Sequence, residues 1–161
     1  MDKSKINMLL RGITTYDIGP LDDDMNTMFT LNDGTIINLH AGTTSLMLFT
    51  MVETLGDSGK ESPVVYERLL HANILGGRFG NIRIVYDMES TVVWLNYDLP
   101  FETLDAVSLM SSLESFVKNS QTFKLVLKDE IIEAVEHRDN DQSSNPTRGI
   151  AKTSTFFFPD V

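Results

Sequence analysis

The chain has 161 residues with 42% apolar side chains, enough for one domain with its own core and too many for a wholly disordered chain. Thirteen basic residues stand against 23 acidic ones, and the net charge of −10 argues against a nucleic-acid partner, whose phosphates such a surface repels. There is no Cys, so disulfides, thiolate metal sites and Cys nucleophiles are excluded.

Residues 3–14 place Ile6, Leu9, Leu10 and Ile13 at helical spacing, with Lys3, Lys5 and Arg11 opposite. That predicts an amphipathic first helix. Its apolar run is too short for a signal-peptide core, and no stretch is long enough to span a bilayer. Asp22-Asp23-Asp24 follows as an acidic loop. Asp22-x-Asp24-x-Asn26 is similar to the opening of a calcium loop, but the sixth position, where Gly is needed, is Thr27, and the twelfth is Asp33 rather than Glu. A solvated loop is expected and no metal.

Residues 25–31 and 35–40 are predicted to form a hairpin around Asn32-Asp33-Gly34, residues that tolerate positive φ. Residues 45–55 read as a third strand. Leu46, Leu48 and Val52 point one way; Met47, Phe49 and Met51 point the other. A strand apolar on both faces is usually covered on both, and in a small domain the second cover can be another chain. Ser62 and Pro63 are suited to start a helix that runs to about Ile74. Apolar and aromatic residues occupy more than half of its circumference, so it too needs a second covering surface. Residues 82–87 and 91–99 form a second predicted hairpin, with Trp94 on its outer face. From about Glu102 to Val135 the pattern is helical, and Asn119-Ser120 is a candidate break. Residues 1–136 are read as the domain. Residues 137–161 are read as a polar extension ending in Phe156-Phe157-Phe158.

Catalytic patterns are wanting. His40, His71 and His137 lack metal-ligand spacing, and no Gly-x-Ser-x-Gly elbow occurs. Gly76-Gly77-Arg78-Phe79-Gly80 follows a helix, where a phosphate cradle would precede one. Carboxylates such as Asp87 or Glu89 leave a small acid–base hydrolase as a weak alternative. Two features point to binding instead. Six acids and no Lys or Arg lie between Ile84 and Val117, a surface that would steer a basic partner. Met25, Met28, Met47 and Met51 concentrate flexible, polarizable side chains in the first strands.

The order helix, three strands, helix, two strands, helix resembles the class I type III secretion chaperones, the Tir chaperone family. The resemblance rests on Ile6-Asn7-Met8-Leu9-Leu10, Leu46-Met47-Leu48-Phe49, Leu69-Leu70-His71-Ala72-Asn73 leading to Gly80, and Trp94-Leu95-Asn96-Tyr97-Asp98-Leu99-Pro100 leading through Leu104 and Leu113 to Phe116. It spans about residues 3–130. It implies an α+β fold with a twisted antiparallel sheet of five strands and three main helices. It also implies a homodimer in the bacterial cytoplasm, without enzymatic activity, cofactor or membrane contact. The partners implied are the non-globular N-terminal segment of a secreted effector, a second copy of the chain, and the secretion ATPase. Carried onto this sequence, the family's effector-binding patches fall on Ile6, Leu9, Met28, Phe29 and Leu48, and its dimer interface on Val65, Leu69, Val92 and Trp94. The alternative is a binding or regulatory domain of the same fold with no role in secretion. The extension at 138–161 departs from the family pattern; Ile150 to Phe158 is expected to dock as a strand or plug on this chain or a neighbouring one.

Overall fold

The computed structural model describes residues 2–55, 63–76 and 81–144. Ser62, most of the Gly76–Gly80 run and Ile150 to Phe158 lie outside those residues. Helix α1 covers Lys3–Arg11. Asp2 caps it, its carboxylate accepting the Lys5 N–H at 2.8 Å. Strands β1 (Asn26–Thr30), β2 (Ile36–Ala41) and β3 (Ser45–Thr54) follow, then α2 (Pro63–Gly76), β4 (Arg83–Asp87), β5 (Val92–Pro100) and α3 (Ala106–Ser144). The strands form one antiparallel sheet in the order β1-β2-β3-β5-β4. This is the five-stranded α+β architecture the sequence implies.

The first hairpin turns where expected. Gly34 takes φ +83°, and the Thr35 N–H donates to the Asp33 carboxylate at 2.9 Å. The acidic loop before β1 is a backbone turn. One Asp22 oxygen accepts the N–H groups of Asp24 and Asn26, at 3.0 and 2.8 Å. Its carboxylate is thereby engaged in holding the chain, and Met25 sits at φ 63° inside the turn. Among the described residues no cluster of acids and histidines could hold a metal.

Alternation in the strands sends Phe29, Ile37, Leu39, Leu46, Leu48, Val93 and Leu95 to one face, where they are buried. Ile6 and Leu10 of α1, Val65 and Leu69 of α2, and Leu109, Leu113, Phe116, Phe123, Leu127 and Ile131 of α3 complete that single core. The hydroxyl of buried Thr50 donates to the Ile36 carbonyl at 2.8 Å, so the one fully buried polar side chain of β3 is satisfied. A bulge between Met51 and Glu53 interrupts the β3–β5 register and sharpens the local twist.

Helix α3 departs from the sequence expectation at both ends and in the middle. It starts at Ala106 rather than near Glu102, because Asp105 and Ser108 cap it reciprocally. The Ser108 N–H donates to Asp105 Oδ1 at 2.7 Å, and the Asp105 N–H donates to Ser108 Oγ at 2.9 Å. It does not break at Asn119-Ser120. Ser120 is buried, and its hydroxyl donates back to the Val117 carbonyl at 3.1 Å, so the helix tolerates it. It continues to Ser144, beyond the change of composition at residue 137. Among the described residues no helix is long and apolar enough to cross a membrane.

Candidate binding surfaces

Among the described residues no helix packs on the second face of the sheet, and much of that face is apolar, with Asn38, Asn96, Arg83 and Asp98 among its polar residues. The strand registers align Met28 of β1, Ile36 of β2, Met47, Phe49 and Met51 of β3, Trp94 of β5 and Val85 of β4 on it. Met28 is 61% exposed, Ile36 and Met51 46%, and Val85 43%. Phe49 and Trp94 meet edge to face with centroids 5.7 Å apart. Two shallow clefts flank Trp94. One of about 320 Å³ includes Met28, Ile36, Met51 and Lys124. The other, of about 210 Å³, includes Met47, Phe49, Val85 and Asn96. Asn96 donates to the Met47 sulfur at 3.2 Å, while its own buried Oδ1 has no partner. A donor brought by whatever covers this face would complete it.

Each edge of the sheet has one residue whose outward backbone groups are already engaged. At β4 the Asn73 side chain of α2 stands where a further strand would be. Its Oδ1 accepts the Ile84 N–H at 2.7 Å and its Nδ2 donates to the Ile84 carbonyl at 3.3 Å. At β1 the N–H of Asn26 donates to Asp22 Oδ1 and its carbonyl accepts the Asp22 N–H at 2.8 Å; β1 has a strand neighbour on one side only. Helix α2 carries an outer stripe of Val64, Leu70 and Ile74, the last two 69% and 77% exposed, along a groove of about 780 Å³.

The residues expected at the effector site divide between the two sheet faces. Met28 is exposed and Leu9 half-buried, so both offer surface. Ile6, Phe29 and Leu48 are at most 3% exposed and belong to the protomer's own core. The expected dimer residues divide in the same way. Val65 and Leu69 face inward, whereas Val92 and Trp94 are half-buried on the outer side of β5. Ile36, Phe49, Met51, Val85, Val64, Leu70 and Ile74 are the accessible residues that the expectation omitted. Strand parity contains the missing signal, because Met47, Phe49 and Met51 already point away from Leu48 in the sequence.

The carboxyls with shifted acidities are held ionised. The Asp87 carboxyl is lowered by the Ser90 hydroxyl first and the Glu89 amide next. That of Glu53 is lowered by its bond to Lys128. A general acid near neutrality needs the opposite shift. Asp87 is a turn residue that holds the β4–β5 loop through Ser90 and Glu89.

The Tir chaperone protein (CesT) family profile matches residues 12–124. The chain belongs to the Tir chaperone family. It is thus a protein of the chaperone class of type III secretion, as the element order implied. No curated protein matches it by sequence. Solved structures share the fold, three of them as follows. One is "Crystal Structure of the ExsC-ExsE Complex", with TM-score 0.62, 18% identity, and 79% of this chain and 97% of that chain covered. Another is "Structure of the HopA1-SchA Chaperone-Effector Complex", with TM-score 0.57, 15% identity, and 76% and 91% covered. The third is an uncharacterized protein from Methanothermobacter thermautotrophicus, with TM-score 0.52, 10% identity, and 81% and 99% covered.

Proposed function

We propose that this Tir chaperone family member binds the non-globular N-terminal segment of a type III secreted effector and keeps it soluble and competent for secretion in the bacterial cytoplasm. The observation that carries this reading is the open apolar face running from Met28 to Val85 across all five strands. A folded domain that leaves such a face uncovered has it for a partner. Met28, Met47 and Met51 suit clients of varied sequence, since Met reshapes cheaply. Each aliphatic or aromatic client side chain buried there contributes about 1.5–3 kcal/mol. Two or three such anchors offset the roughly 2–5 kcal/mol needed to order a disordered segment. Beyond Asn26, whose backbone groups Asp22 holds, the β1 edge lets an extended client add main-chain hydrogen bonds beside Met28. The neighbouring structure whose name describes a chaperone–effector complex supports the same reading.

We further propose a homodimer closed through the outer stripe of α2, Val64, Leu70 and Ile74, with Val92 beside it. An apolar helix face beside a groove is the surface a second copy would cover. The role in this reading is binding, not catalysis. The test is co-expression with the product of the adjacent reading frame. A soluble complex that contains the product's N-terminal segment, and that is lost on Met51→Asp without loss of fold, is the expected result. A complex indifferent to Met51 would place the client elsewhere.

A further inference from the structure

We propose that residues 150–158 of this chain cover the open sheet face themselves, with Phe156, Phe157 and Phe158 seated against Met28, Met51 and Trp94. Reach and apolar surface both point to that segment. Lys124 of α3 lines the larger cleft on that face, so the helix leaves for its C-terminus directly from the site. Ser144 lies 20 residues further along α3, or ~30 Å at 1.5 Å per helical residue. Phe156 lies 12 residues beyond Ser144, or ~40 Å of extended chain at about 3.3 Å per residue. The segment therefore spans the return to its own cleft. A partner of the same chain is not needed.

The composition agrees. The sheet registers put Asp87, Asp98 and Arg83, the ion-pair partner of Asp98 at 3.4 Å, on the same outer face, and Lys124 lines the cleft, so the charges there are mixed and the match is one of apolar surface. A segment ending in three aromatics meets Met28, Met51 and Trp94. Each Phe presents a large apolar surface, on the order of 150–250 Å², at the cost of fixing two side-chain torsions. Cover by the chain's own segment would shield the Met-rich face from aggregation when no client is bound. A client must then displace the segment, and that last step alone rests on the function proposed above.

The test uses the full chain with a photoreactive benzoylphenylalanine in place of Phe157, irradiated as a mixture of isotope-labelled and unlabelled protein. The expected result is cross-links to the peptides containing Met28, Met51 or Trp94, within one chain. Cross-links that pair labelled with unlabelled chains, that fall on other elements, or that fail to form overturn the proposal. Trp94 is the one Trp of the sequence and gives a second readout. In the full-length F156S/F157S/F158S variant its emission should move to longer wavelength and its quenching by acrylamide should rise; unchanged emission and quenching overturn the proposal. Neither readout involves a client, so failure of effector binding leaves this inference standing, and the reverse also holds.

Discussion

The Asn73 amide of α2 engages both backbone groups of Ile84, accepting its N–H at 2.7 Å and donating to its carbonyl at 3.3 Å. The effect is to occupy one position of the β4 edge with a side chain, as Asp22 occupies Asn26 at the β1 edge. It also gives a physical reason for Asn within Leu69-Leu70-His71-Ala72-Asn73. An Asn73→Ala substitution leaves the Ile84 groups unpaired where they are partly buried. The expected loss is about 1–3 kcal/mol of stability. Hydrogen exchange should show the Ile84 amide opening selectively. Uniform loss of protection across the sheet would mean that Asn73 does not act through β4.

The outer face can be probed without disturbing the core, because Met51 and Leu48 occupy the same strand with opposite parity. Met51→Asp falls on a residue 46% exposed and should keep the melting temperature within a few degrees. It should weaken client binding at least about tenfold, the equivalent of one lost anchor of about 1.5 kcal/mol or more. Leu48→Asp puts a charge in a site with no exposure and should unfold the protein. Equal binding by the Met51 variant and the parent, in a titration followed by Trp94 fluorescence, would remove this face from the client site.

Neighbouring positions on α2 separate association from folding. Leu70 is 69% exposed and Leu69 is 5% exposed. Leu70→Asp should therefore give a folded monomer if the outer stripe closes a dimer. Leu69→Asp should cost about 3–5 kcal/mol, as an unpaired charge in the core does, and should lose structure at any concentration. Light scattering with circular dichroism distinguishes the two. A folded dimer from the Leu70 variant would move the interface away from α2.

Much of this organisation could be read from the chain. Period-two alternation placed all five strands, and Asn32-Asp33-Gly34 placed the first turn, because both depend on local backbone geometry. The choice of face was harder. Leu48 and Phe49 are both apolar, and parity gives two faces without stating which the helices cover. That depends on how Ile6, Leu109 and Leu113 arrive from distant parts of the sequence, so Ile6, Phe29 and Leu48 could pass for binding residues. Val65 and Leu69 face inward for the same reason, on a helix that is apolar over more than half of its circumference. The continuity of α3 was hidden by Asn119-Ser120, whose helix-breaking tendency is overruled by burial of Ser120 beside Phe116 and Phe123.

The α3 cap supplies a pH test with a defined sign. Asp105 accepts the Ser108 N–H at 2.7 Å, and that bond, together with the Ser108 hydroxyl, lowers the Asp105 carboxyl below its ordinary value. A carboxyl lowered in the folded state adds stability above its unfolded pKa and loses it as pH falls through the folded one. Asp105→Ala should thus melt a few degrees below the parent at neutral pH. The gap should narrow as the pH falls below the ordinary carboxylate range and close in strong acid, where the parent's Asp105 is also protonated. Glu53, lowered by its 2.8 Å contact with Lys128, follows the same sign, so Lys128→Met should show a gap that closes in acid and also shrinks with added salt. Scanning calorimetry across pH, at two ionic strengths, measures both. A gap for Asp105→Ala that stays constant from neutral to strongly acid solution would show that the cap works through the peptide geometry of the turn and not through the charge of Asp105.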